Sequence, residues 1–184
     1  LRYAEAPAYG FECAIPDSTK TRLSAWLDAI QDASGGSQYV VDGDWVNLLK
    51  TGNLLFEMSL VGDSTAVPRV QSAIAYIQNT WNDLSSDPGW RPHEYQCMYC
   101  LMKGFVSLGI DTITVAGNPV DWYQEFAAAI VASQNADGSW PPDRWGDSAL
   151  ATAWALMVLE KVAPPPPVEV QIDLPDCACD QAGY

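Results

Sequence analysis

The heptapeptide Gln134-Asn-Ala-Asp-Gly-Ser-Trp140 decides how the rest of the chain is read. It lies between two runs with helical apolar spacing, Trp122 to Ser133 and Asp147 to Val162. Read outward, its pattern recurs. One segment runs from Trp26-Leu27 through Gln31 to Gly43-Asp44-Trp45, a second from Ala73-Ile74 through Gln78 to Pro88-Gly89-Trp90. The third runs from Ala129-Ile130 through Gln134 to Gly138-Ser139-Trp140. Each has an aliphatic residue four before a Gln, and a glycine just before a Trp. Each Trp is followed by an apolar run: Val46 to Val61, Glu94 to Leu108, and Ser148 to Val162. Self-similarity at this spacing marks stacked supersecondary units.

The punctuation predicts three helical hairpins. Leu23, Trp26, Leu27 and Ile30 recur at helical spacing after Asp17, Ser18 or Thr19, any of which can cap. Ser64 or Thr65 caps the next helix, with Pro68 in its first turn. Pro119 and Asp121 open the third. Gly62 and Gly109 close the second helices of the first two hairpins. The last helix is apolar on most faces, as a helix packed on both sides is. The expected fold is all-α: an N-terminal extended segment 1–17, a repeat domain 18–163 (repeats about 18–62, 65–110 and 119–163), and a tail 164–184. In that tail a polyproline spacer, Pro164 to Pro167, leads into Val168, Val170, Ile172 and Leu174, whose alternation predicts a strand for assembly.

Bulk properties exclude several functions. A net charge of −14, with nine Lys and Arg in 184 residues, argues against binding nucleic acid or an anionic membrane surface. No apolar run is long enough to span a membrane. Five cysteines leave one without an intramolecular partner. Cys13, Cys177 and Cys179 are disulfide candidates, since neighbours-but-one rarely bond each other and the two ends can be stapled. The chain begins at Leu1, which reads as a processed or excised segment, and a secreted or cell-surface setting is expected.

The motif Gln134 to Trp140, with Ile130 before it and Asp147-Ser-Ala-Leu-Ala-Thr-Ala-Trp-Ala-Leu-Met-Val-Leu-Glu160 after it, resembles the QW repeat of squalene-hopene and terpene cyclases and the wider prenyltransferase and squalene-oxidase repeat family. The resemblance covers about residues 18–163. It implies a partial α/α-toroid in which Gln31, Trp45, Gln78, Trp90, Gln134, Asp137, Gly138 and Trp140 are structural. The chain departs from the family in having three hairpins, which leave an open arc, and in carrying Ala73 and Ala129 where an aromatic residue is expected.

The catalytic signatures that the resemblance implies are incomplete. The cyclase acid motif Asp-x-Asp-Asp has only Asp42-Gly-Asp44-Trp45 as a counterpart. A prenyltransferase-like zinc site has His93, Cys97 and Cys100, which share one helix face if that helix starts early; small core cysteines and a loop histidine are the plainer reading. Asp137, Asp143 and Asp147 can form a loose calcium site, but Arg144 replaces the carboxylate that would complete an EF-hand loop. The expectation is therefore no cofactor, with zinc or calcium as the alternatives. The expected function is a non-catalytic, extracellular structural or interaction module that self-associates or joins adjacent domains. The alternative is a fragment of a terpene cyclase- or prenyltransferase-like enzyme that binds an apolar isoprenoid ligand.

Overall fold

The computed structural model describes residues 15–84 and 87–162. They form six helices and one two-stranded sheet: α1 (Asp17–Ile30), α2 (Leu48–Leu60), α3 (Pro68–Thr80), α4 (Tyr95–Leu108), β1 (Thr112–Val115), β2 (Asn118–Asp121), α5 (Trp122–Ala132) and α6 (Ser148–Leu159). The strand expected at Val168–Leu174 and the cysteines Cys13, Cys177 and Cys179 lie outside the described residues.

Local chemistry accounts for the helix starts. Asn47, Asp121 and Asp147 each accept a backbone N–H three residues on, from Lys50, Gln124 and Leu150, at 2.9–3.0 Å. Helix α3 starts with Pro68, which has no N–H to leave unpaired. Two expected caps move. Helix α1 follows Pro16 without a side-chain cap and takes Asp17 into its first turn. Ser64 holds the turn before α3 through the Ala66 N–H at 3.4 Å instead of capping the helix.

The sheet corrects the all-α expectation. Ala116 and Gly117 have φ of 50° and 82°, both left-handed, which suits a two-residue hairpin turn with inverted twist. Ile113 and Val115 point into the core, and Pro119 sits in β2 opposite Thr114. Asp121 opens α5 as expected; Pro119 ends up in the hairpin, not at the helix start.

Helix α2 packs along α4, and α4 packs against α6, so the second helices of the hairpins form a row. The first helices lie against that row, α1 and α3 on α2 and α5 on α4 and α6. At the α2–α4 crossing the backbones touch: a Cβ on Gly52 would lie 2.6 Å from the Leu101 nitrogen, and one on Gly104 2.8 Å from the Gly52 oxygen. Between the rows lies an aromatic core, with Trp81 5.0 Å from Trp90 and 5.4 Å from Phe126, and Trp122 5.2 Å from Phe105.

Hydrogen bonds restate the repeat with a different register. In the third hairpin Asn135 N–H reaches the Ser139 carbonyl, Gly138 N–H reaches Asn135, and Gln134 Nε2 donates to the Gly138 carbonyl at 2.9 Å. In the first, Asp32 N–H reaches Gly36, Gly35 N–H reaches Asp32, and Gln31 Nε2 donates to Gly35 at 2.9 Å. Trp140 N–H then binds Thr152 Oγ1 at 3.0 Å, just as Ser37 N–H binds Thr51 Oγ1 at 3.0 Å. The counterpart of Gln134–Trp140 is thus Gln31-Asp-Ala-Ser-Gly-Gly-Ser37, and Ser37 stands where the third repeat has its tryptophan. The Gly43-Asp44-Trp45 pairing with Gln31 is corrected accordingly. In the second hairpin the buried stripe Ala73, Ile77, Trp81 puts Trp81, not Gln78, at the position of the motif glutamine.

Candidate functional site: an indole-lined groove

The displaced Trp45 leads to the site. Of the eight tryptophans, Trp81, Trp90, Trp122 and Trp140 are buried, and Trp154 is partly buried against the core. The remaining three, Trp26, Trp45 and Trp145, are 45%, 44% and 52% exposed, and all three line one groove of about 390 Å³. Its apolar lining is completed by Ile30, Leu49, Leu54 and Pro88. Ser37 lines it too, so the groove opens beside the residue that replaces the motif tryptophan.

Loops of all three hairpins meet at Asp87 to build the rim. Its carbonyl accepts Trp45 Nε1–H at 2.7 Å and Asn47 Nδ2–H at 2.9 Å, and its carboxylate pairs with Arg144. Both polar side-chain atoms of the buried Asn47 are bonded, since its oxygen also caps α2. Asp143 sets the neighbouring loop: Oδ1 accepts the N–H groups of Trp145 and Gly146 at 2.9 and 2.8 Å, and Oδ2 accepts Gln96 N–H at 3.2 Å. Trp145 therefore projects from a turn tied to the start of α4.

The polar lining is mostly uncharged: Gln38, Asn53 and Gln96. Two charged residues line the groove. Burial pushes the Glu57 carboxyl up, with Lys103 partly offsetting it. The Lys50 ammonium lies 4.1 Å over the Trp45 ring and donates to the Trp45 carbonyl; desolvation lowers its pKa and Asp44 opposes that shift.

The other sequence-derived candidates fall elsewhere. Gln31 Nε2 also donates to the Arg69 carbonyl at 2.9 Å, joining the first hairpin to α3. Trp90 Nε1–H donates to Trp81 at 3.0 Å, and Trp140 Nε1–H to Ile130 at 2.7 Å. These are staples between a helix end and the loop that follows. His93 precedes α4, whose first residue is Tyr95, so the helix does not start early enough to carry it on the face of Cys97 and Cys100. Both cysteines are buried and free. Burial pushes the Cys97 thiol well up and the Cys100 thiol to about 11. Asp137 is held by Ser139, Asp143 by the turn just described, and Asp147 by its cap, so each carboxylate already serves backbone N–H groups. Among the described residues no three His, Cys, Asp or Glu side chains form a group that could hold a metal ion. Nor is any helix there long and apolar enough to cross a membrane.

From the sequence, Trp45 is expected as a structural residue of the repeat and Trp81, Trp90, Trp122, Trp145 and Trp154 as pocket aromatics; of those five only Trp145 lines this groove, where it joins Trp26 and Trp45. The available signal was their surroundings: Trp45 and Trp145 sit in polar loops, beside Asp44 and Arg144. In comparisons with known proteins, the chain matches no family model, no curated protein and no solved structure.

Proposed function

We propose that the chain is a non-catalytic interaction module, built on an arc of helical hairpins like those of the prenyltransferase-type α/α-toroid, and that the indole-lined groove is its contact site. The observation that carries this reading is the gathering of all three half-exposed tryptophans around one groove. Leaving apolar surface in water costs about 25 cal/mol per Å², so a cluster of exposed indoles is a surface kept for a partner. The volume of about 390 Å³ falls in the range of about 300–1,000 Å³ typical of small-ligand sites.

The side chains present favour binding over turnover. The Cys97 and Cys100 thiols are buried and kept protonated, so they are poor nucleophiles. Lys50 is committed to Trp45, and Glu57 has no partner base in the groove. The acidity of the chain fits a module at work outside the cell or on its surface. A second reading, self-association through an open end of the hairpin row, draws on the third hairpin. Leu150 and Leu156 of α6 are 42% and 48% exposed and Val131 of α5 is 64% exposed. A stack of hairpins needs its end covered.

The experiment is a ligand screen by thermal shift on the full chain and on Trp145→Ala, with product analysis after incubation with prenyl diphosphates. The reading predicts ligands that stabilise the parent and not the variant, and no product. Turnover of a prenyl diphosphate supports the enzyme-fragment alternative and refutes this one.

A further inference from the structure

Resting on the reading of the groove as a contact site, we infer that its ligand is a neutral oligosaccharide. Three features of the groove converge on that chemistry. Three indoles border one groove, and flat indole faces suit the apolar C–H faces of a pyranose ring. The same groove is lined by Gln38, Asn53 and Gln96, whose amides can satisfy hydroxyls in both directions, although Asn53 Oδ1 already accepts from Lys103 Nζ at 3.3 Å. Finally, the groove carries one charge of each sign, Lys50 held over the Trp45 ring and Glu57 partly offset by Lys103.

The same features reject the other ligand classes. An isoprenoid chain in the groove would strip water from three amides and a carboxyl group and return no hydrogen bonds, which a buried polar group does not tolerate cheaply. A cationic ligand meets the Lys50 ammonium on the Trp45 face where it would otherwise bind. An anionic one meets Glu57 and a chain of net charge −14. A polyhydroxylated neutral ligand meets neither penalty, and the open groove between loops of different hairpins suits a chain of sugar rings.

The test is isothermal titration of the full chain with cellohexaose, maltohexaose and mannohexaose, and with hexagalacturonate and farnesol as charged and apolar probes. At least one neutral hexasaccharide is expected to bind. Trp26→Ala and Trp145→Ala are each expected to weaken that binding by about tenfold or more, as loss of a central aromatic contact does. Asn53→Ala should weaken it as well, and hexagalacturonate should bind more weakly than its neutral counterparts. Circular dichroism melts of the variants separate loss of the site from loss of the fold. If farnesol binds in a Trp145-dependent way and no neutral saccharide does, the saccharide inference falls while the contact-site reading stands. If saccharide binding survives both tryptophan substitutions, the groove is not its site and the inference falls. If no probe binds, the saccharide inference falls, and the contact-site reading stands or falls with the thermal-shift screen.

Discussion

Gly52→Ala adds one methyl group at the point where α2 and α4 cross. Its Cβ would lie 2.6 Å from the Leu101 nitrogen, 2.7 Å from the Cys100 carbonyl carbon and 2.8 Å from the Leu101 Cα. All three are backbone atoms, so no side-chain rotation relieves the clash. Restoring ordinary contact at 3.4 Å requires the helices to separate by about 0.8 Å. Such a gap forfeits part of the dispersion contact along the interface, and overpacking of this kind costs about 3 kcal/mol at the upper end of its usual range. The better helix propensity of alanine returns about 1 kcal/mol. The net expectation is a loss of about 2 kcal/mol, which for a chain of this size lowers Tm by about 4–8 °C. Calorimetry of Gly52→Ala, Gly104→Ala and the double variant measures it. The two glycines share one crossing, so the second substitution should cost less after the first has opened the gap. A Gly52→Ala variant that melts at or above the parent temperature refutes the close crossing.

Three further outcomes follow from the same geometry. Gly35 and Gly138 share a positive φ and the same loop, but a Cβ at Gly35 would lie 2.2 Å from the Ser72 carbonyl oxygen while one at Gly138 meets nothing within 4 Å. Gly138→Ala should therefore cost only the left-handed strain of about 1–2 kcal/mol, and Gly35→Ala distinctly more in the same urea melts; equal losses would contradict the shared-loop account. Burial raises the Glu57 pKa above 4.5, so the folded state holds that proton more tightly than the unfolded one, and the carboxyl lowers stability as pH rises through that window. Glu57→Gln should melt above the parent at neutral pH, and the gap should close below pH 4.5; a gap that widens on acidification reverses the sign. Cys97 and Cys100 should resist iodoacetamide in the native chain and react once it is unfolded, as read by peptide mapping; rapid native labelling would place them at the surface.

Much of the helical order was legible because caps and glycines are local signals. Asp121, Pro68 and Gly109 act within one turn of where they stand. The repeat was legible in outline, but its register was not. Gln31 lies five and six residues before Gly36 and Ser37, and nothing in the sequence says that a serine occupies the slot of a tryptophan. That slot is recognised only when Thr51 and Thr152 are seen to hold equivalent N–H groups. Gln78 misled because Trp81, one helical turn on, takes its place on the buried stripe. The β-hairpin was hidden by the helical pattern on both sides, and Ala116 is not a residue type that announces the left-handed turn it enters. The groove was least legible of all. Its indoles are 19 and 100 residues apart in sequence, and Asp87 of the middle hairpin ties together the loops that carry Trp45 and Trp145.

Three of the eight tryptophans, Trp26, Trp45 and Trp145, border the proposed contact site. Fluorine NMR of the full chain labelled with 5-fluorotryptophan reads each indole separately. Titration with a neutral hexasaccharide that binds should move the signals of Trp26, Trp45 and Trp145 and leave those of Trp81, Trp90, Trp122 and Trp140 in place. Movement of the buried four, or binding that leaves the exposed three unmoved, contradicts it.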